Sequence, residues 1–112
     1  MPDCIFCKIA AGEIPSQIVY RDDDVVAFKD LNPKAPFHDL VIPRRHIASL
    51  ADADDPRLVG RLALVAAKIA TEAGYGGRGF RVVSNTGPDA GQSVAHLHFH
   101  VLAGRQFSWP PG

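Results

Sequence analysis

Sulfur, charge imbalance and long apolar runs are all scarce in this chain. It has two cysteines, one methionine and one tryptophan among 112 residues. A single Cys4-x-x-Cys7 pair cannot supply the several wide bridges of a disulfide-framed secreted fold. Lys plus Arg and Asp plus Glu both count 12, so the formal net charge is zero. A neutral chain has no electrostatic grip on nucleic acid or on an anionic membrane surface. No apolar run approaches the ~20 residues of a membrane-spanning helix, so no membrane partner is expected. The opening residues lack a basic segment followed by an apolar one, which leaves a reducing cytoplasm as the expected compartment. There the cysteine pair reads as a metal half-site, a redox pair or coincidence.

What is present is an ordinary globular balance, 46% hydrophobic and 21% charged, and residues 1–112 are expected to form one domain. A short helix is expected over 4–11, capped by Asp3 and stopped by Gly12. Residues 17–21 and 25–30 read as two strands joined across Asp22-Asp23-Asp24, a turn rather than a metal site. A third strand covers 38–43. Asp54-Asp55-Pro56 opens one long helix over 56–73, in which Leu58, Leu62, Val65 and Ile69 recur at spacings of three and four. Residues 80–84 and 95–103 are the last strands. Long helices do not alternate with the strands, which predicts an α+β fold with a mostly antiparallel sheet. Gly74-Tyr75-Gly76-Gly77-Arg78-Gly79 matches G-x-G-x-x-G. It follows a helix and precedes a strand, the reverse of a dinucleotide fingerprint, and reads as a turn.

Five histidines are the unusual entry in the composition, and His96, His98 and His100 fall within one short stretch. On a strand, this alternation turns all three imidazoles to one face and Leu97, Phe99 and Val101 to the other. Each neutral imidazole needs both a donor and an acceptor matched, so three together ask for a chemical role. One role is a metal. Ends four residues apart on a strand lie about 13 Å from each other, which makes convergence on one ion difficult. The other role is a nucleophilic histidine positioned by its neighbours. The preceding loop, 85–93, is rich in glycine and polar residues and can aim amides and the Ser93 hydroxyl at an anion. No Lys or Arg occurs from Val82 to Gly104, which favours a small phosphate group over a triphosphate tail. A zinc site at Cys4 and Cys7 needs two more ligands, for which His46 and His96 are candidates.

The His96-Leu97-His98-Phe99-His100-Val101-Leu102 stretch resembles the motif of the histidine triad (HIT) family. Cys4-Ile5-Phe6-Cys7-Lys8-Ile9, Gly12-Glu13-Ile14-Pro15, Ala27-Phe28-Lys29-Asp30-Leu31, Leu40-Val41-Ile42-Pro43, Gly91-Gln92-Ser93-Val94 and the Trp109-Pro110-Pro111-Gly112 end are similar to its Hint-like phosphoramidase branch. The cysteine pair is similar to that of bacterial members. The resemblance implies a five-stranded antiparallel sheet with one long and one short helix, joined into a ten-stranded sheet across a homodimer. It implies hydrolysis of purine nucleoside 5′-phosphoramidates, with dinucleoside polyphosphate hydrolysis and non-catalytic nucleotide binding as alternatives. His98 corresponds to the nucleophile on phosphorus. Ser93, His100, Asn85, Gly91 and Gln92 correspond to groups around the phosphate, and Asp30 to the acceptor of the ribose hydroxyls. Ile5, Phe6, Ile9, Phe28 and Leu31 correspond to the apolar clamp on the base. Cys4, Cys7, His46 and His96 correspond to ligands of a structural zinc, with no catalytic cofactor. Residues 105–112, with Trp109, correspond to a tail lying near the partner subunit's site. Lys29 is expected to face away from Asp30 across the strand and carries no assigned role.

Overall fold

The computed structural model describes residues 3–112. Five strands, β1 (Ile18–Arg21), β2 (Val25–Lys29), β3 (Phe37–Pro43), β4 (Phe80–Val83) and β5 (Phe99–Ala103), form one sheet in the order β1-β2-β3-β5-β4. Every neighbouring pair is antiparallel. A short helix, α1 (Ile5–Ala10), and a long one, α2 (Pro56–Glu72), complete the α+β architecture. A single 3-10 turn, Leu50–Asp52, was not foreseen from the pattern.

The two helices cover opposite faces of the sheet, as the strand alternation dictates. On one face α2 buries Leu62, Val65, Ala66 and Ile69 against Val25, Ala27, Val41, Leu97, Phe99 and Val101. On the other, α1 buries Phe6, Ile9 and Ala10 against Val26, Phe28, Leu40 and Ile42. Leu62 is fully buried; truncating such a side chain to Ala costs about 2–5 kcal/mol. Asp55 caps α2 by accepting from the amides of Arg57 and Leu58, with Pro56 at the first helical position.

The turn between β1 and β2 is held by Asp22, whose Oδ1 accepts from the amides of Asp24 and Val25, both at 2.8 Å. Burial would raise this carboxyl. Hydrogen bonds from Tyr20, Asp24 and Val25, with the Arg61 charge, outweigh that and bring it down to about 2. The glycine-rich segment after α2 is a turn: Gly74 takes a φ of 96° and Tyr75 packs on Phe37, with ring centroids 5.3 Å apart. On β3, Asp39 leaves Oδ1 unpartnered; burial pushes its carboxyl up, and the nearby Lys29 charge opposes that.

Two local expectations are corrected. The cap of α1 is Cys4, not Asp3: the Cys4 backbone is extended and its Sγ accepts from the Cys7 amide at 3.4 Å. The last strand begins at Phe99 rather than at residue 95. The β3–β5 register sets Val41 opposite Phe99, so two residues further Leu97 would face Pro43. Proline has no N–H to give the ladder, and the His96 ring occupies the Pro43 carbonyl at 2.9 Å. The Leu97 amide bonds to the Ile47 carbonyl instead. His96 and His98 therefore stand on irregular backbone that enters the strand at its start.

Candidate functional site

The alternating stretch sends its apolar side chains into the α2 core and its imidazoles toward α1, but the three rings have two destinations. His96 is fully buried. Its Nδ1 lies 3.2 Å from the Cys4 Sγ and 3.5 Å from the Cys7 Sγ. His46, just past β3, brings its own Nδ1 to 3.4 Å from the Cys7 Sγ. The four ligand atoms lie within 4.8 Å of one another. Since the His96 Nε2–H donates to the Pro43 carbonyl, Nδ1 is left bare toward the sulfurs, as metal ligation requires. Bonds of ~2.3 Å to sulfur and ~2.0–2.1 Å to nitrogen give tetrahedral S···N edges of about 3.5 Å. The cluster fits a zinc ion of the closed, structural kind. Burial and the adjacent Cys4 sulfur push the Cys7 thiol up, and a cation between the sulfurs reverses that pressure.

His98 and His100 turn the other way. The His98 Nδ1–H donates to the His96 carbonyl at 2.7 Å, so its Nε2 carries a lone pair. The His98 carbonyl in turn accepts from Ser84 Oγ at 3.3 Å, and Phe6 meets the His98 ring edge to face at 5.2 Å. The His100 Nδ1 lies 2.9 Å from His38 Nε2, and His38 Nδ1 accepts from the Lys34 amide at 2.9 Å. An accepting Nδ1 puts the His38 proton on Nε2, where it is donated to His100. That leaves the His100 proton on Nε2. Burial first, then the neighbouring His98 and His38, bring His100 down to about 4. Burial also lowers His38. Both rings are neutral near pH 7. The Asp30–His38–His100 cluster is therefore no metal site in this state, because a protonated His38 Nε2 cannot ligate. With His96 committed to the cysteines, three histidines do not converge on one ion.

His98 and His100 line a cavity of about 220 Å³. Ile5, Phe6, Ile9, Phe28 and Leu31 line its apolar side, and Asp30 and Ser93 supply polar groups. Lys29 borders it as well and is the one Lys or Arg in its lining among the described residues. Asn85, Gly91, Gln92 and Trp109 do not line it. The Gln92 side chain braces the loop, accepting from the Gly87 amide and donating to the Ala48 and Val94 carbonyls. Gly91 takes a φ of 80°, which favours glycine. Trp109 is 82% exposed on a tail pinned through Ser108, whose carbonyl accepts from Arg81 at 3.1 Å. Leu40, Ile14 and Val94 also line the cavity and were not singled out from sequence. The signal for Leu40 lay in its pairing opposite His100, which needs the β3–β5 register. A larger cleft of about 410 Å³, lined by Asp23, Asp24, Arg44, Arg45, Asp55, Arg57, Leu58 and Arg61, holds no histidine.

Known proteins are similar to this chain in sequence and in fold. The HIT domain family model matches residues 11–107. An uncharacterised HIT-like protein of Synechocystis sp. is 51% identical over 112 residues, covering 98% of this chain and 97% of that protein. A 14 kDa zinc-binding protein of Brassica juncea is 46% identical over 114 residues, covering 98% of this chain and all (100%) of that one. Among solved structures, a HIT family hydrolase from Legionella pneumophila superposes with a TM-score of 0.95 at 45% identity, covering 98% of this chain and 100% of that one. A histidine triad nucleotide-binding protein from Candida albicans does so with a TM-score of 0.82 at 34% identity, covering 88% and 73%. With its family model, its close relatives and its fold in agreement, the chain belongs to the HIT domain family.

Proposed function

We propose that the protein hydrolyses the P–N bond of purine nucleoside 5′-phosphoramidates through a nucleotidyl-histidine on His98. One observation carries the reading: the 2.7 Å bond from His98 Nδ1 to the His96 carbonyl leaves a bare Nε2 in a cavity that also holds a carboxylate and an apolar wall. Nε2 attacks phosphorus and the P–N bond breaks. The Ser93 hydroxyl gives its proton to the departing amine and regains one from the water that then cleaves the P–Nε2 bond. The neutral His100 donates through Nε2 to a phosphoryl oxygen. The Asp30 carboxylate accepts the ribose hydroxyls, and Phe6, Ile9 and Phe28 hold the base, with Ile5 and Leu31 at its edge. Asn85 and the Gly91–Gln92–Ser93 backbone complete the phosphate surroundings. A single bordering cation is fewer than a polyphosphate chain recruits, which supports the phosphoramidate over a dinucleoside polyphosphate.

Cys4, Cys7, His46 and His96 hold a structural zinc in this reading, and the zinc-binding relative supports it. The ion supplies positive charge that keeps the thiolates ionised, while the chain's own His96 carbonyl orients the nucleophile. A metal held by thiolates suits a reducing cytoplasm. A homodimer is supported by the free edge of β4 and by Leu64 and Val82, exposed at 73% and 39%. Pairing β4 with its copy extends the sheet to ten strands and brings residues 105–112, with Trp109, toward the partner's cavity. The test is turnover of adenosine 5′-phosphoramidate and of a diadenosine polyphosphate on one preparation. The phosphoramidate is the faster substrate, and His98→Ala loses it by about a thousandfold or more while AMP still binds. Near-normal turnover by His98→Ala contradicts the mechanism.

A further inference from the structure

His100 and Asp30 both approach the same nitrogen of His38, one as a hydrogen-bond acceptor and the other as a neighbouring charge. His38 is held from behind by the Lys34 amide on Nδ1, so its only proton sits on Nε2. That nitrogen lies 2.9 Å from His100 Nδ1 and 3.3 Å from Asp30 Oδ2. The other carboxylate oxygen, Oδ1, accepts from the Asn32 amide at 2.8 Å, which fixes the carboxylate plane. The His38 side chain is 3% exposed and that of Asp30 19%, so the cavity reaches Asp30 while His38 is sealed beneath it. His38 touches both the ribose end and the phosphate end of the site and faces neither.

We propose that His38 is a positioning residue that transmits ribose occupancy at Asp30 to His100, so that the substrate's vicinal hydroxyls are read in the rate of phosphoryl transfer as well as in binding. The inference rests on the proposed placing of ribose at Asp30 and phosphate beside His98 and His100. Without a sugar, the anionic carboxylate, 3.3 Å from His38 Nε2, competes by its charge alone with His100 for the Nε2 proton. Hydroxyls donating to Asp30 spread its charge and weaken that competition. The proton is then given more fully to His100 Nδ1, which polarises the His100 Nε2–H toward the phosphoryl oxygens. No proton crosses from one heavy atom to another; the hydrogen bond from His38 to His100 strengthens as the charge beside it is spread. The specificity is for a cis-diol sugar, against deoxyribose and against phosphoramidates with no sugar.

The experiment crosses three proteins with two substrates: wild type, His38→Leu and His38→Gln, each on the adenosine and the 2′-deoxyadenosine phosphoramidate. In the wild type, loss of the 2′-hydroxyl lowers kcat about tenfold, the scale of one hydrogen bond, and also raises KM. In His38→Leu the ratio of the two kcat values falls to within about twofold, while the KM ratio persists because Asp30 still binds the sugar. His38→Gln retains an amide that can donate to His100 and recovers part of the kcat ratio. An unchanged kcat ratio in His38→Leu, or wild-type discrimination confined to KM, overturns the proposal. A second measurement needs no turnover. With 15N-labelled histidine, adenosine alone shifts the ring nitrogens of His100 in the wild type and leaves them in place in His38→Leu. In Asp30→Asn they start near the ligand-bound position. Adenosine that binds without moving His100 refutes the coupling. An adenosine response in a protein that turns over neither phosphoramidate refutes the proposed activity and leaves the coupling standing.

Discussion

His96 and His100 stand four residues apart on one side of the chain, yet they belong to opposite kinds of chemistry. At His96, a main-chain carbonyl takes the Nε2 proton and Nδ1 is free for a cation. At His100, His38 donates into Nδ1 and the Nε2 proton is free for an anion. His98, between them, gives its Nδ1 proton to the His96 carbonyl and leaves bare the Nε2 that the proposed mechanism uses as nucleophile. One residue type thus takes three hydrogen-bonding states, and the partner of one ring nitrogen decides what the other offers. The two clusters also differ in what stabilises them. The Cys4–Cys7–His46–His96 set brings three half-buried side chains and one buried ring into an arrangement that suits a central cation. In the Asp30–His38–His100 set the two rings satisfy each other through a neutral hydrogen bond, with the carboxylate 3.3 Å from His38 Nε2. His98 bridges them: its Nδ1–H donates to the His96 carbonyl, and its ring centroid lies 5.0 Å from that of His100.

The largest effect expected from breaking this comparison is on the cysteine side. Replacing both thiols (Cys4→Ser with Cys7→Ser), or stripping metal with a chelator, removes bound zinc and lowers Tm by roughly 10 °C or more, since each 1 kcal/mol moves Tm by about 4–8 °C in a domain of this size. Metal analysis alongside thermal unfolding checks this. An unchanged Tm in a protein that had contained zinc separates the two clusters entirely. On the phosphate side, Ser93→Ala should leave Tm alone and slow turnover by about a hundredfold, within the ~3 kcal/mol of one lost donor. Steady-state kinetics on the phosphoramidate decides it; a loss as deep as that of His98→Ala gives Ser93 a role beyond proton donation.

A smaller effect separates the clusters by pH. Unfolded, an imidazole titrates near 6.5, whereas burial beside His98 and His38 holds His100 at about 4. His38 is lowered in the same direction. Between these values the unfolded chain binds more protons than the folded one. Stability is therefore full above pH ~6.5 and declines as pH falls toward about 4. Metal loss in acid adds its own decline. The His100 contribution is the difference in Tm-against-pH slope between wild type and His100→Asn, with the variant shallower. Equal slopes remove His100 from the account.

The sequence made the sheet, the long helix and the two sides of the histidine stretch legible, because alternation and three-four spacing are local. Leu97, Phe99 and Val101 pack on α2 for that reason. What was not legible depends on residues far away in the chain. The strand starts late because Pro43, across the sheet, has no amide to offer residue 97. Sequence offers His38 only as a strand-end neighbour of the triad, because its partner is 62 positions on and only the β3–β5 register brings the rings within 5.1 Å. The resemblance named candidate residues; the tautomers of His96, His38 and His100 follow from the Pro43 carbonyl and the Lys34 amide.

The central claim is that His98 forms a covalent bond to phosphorus. Enzyme mixed with adenosine 5′-phosphoramidate, acid-sensitive adducts preserved by an alkaline quench, is read by intact mass and peptide mapping. A transient gain of one adenylyl group is expected on the peptide containing His98, absent in His98→Ala. Full turnover with no adduct at any time, or an adduct on another residue, contradicts it.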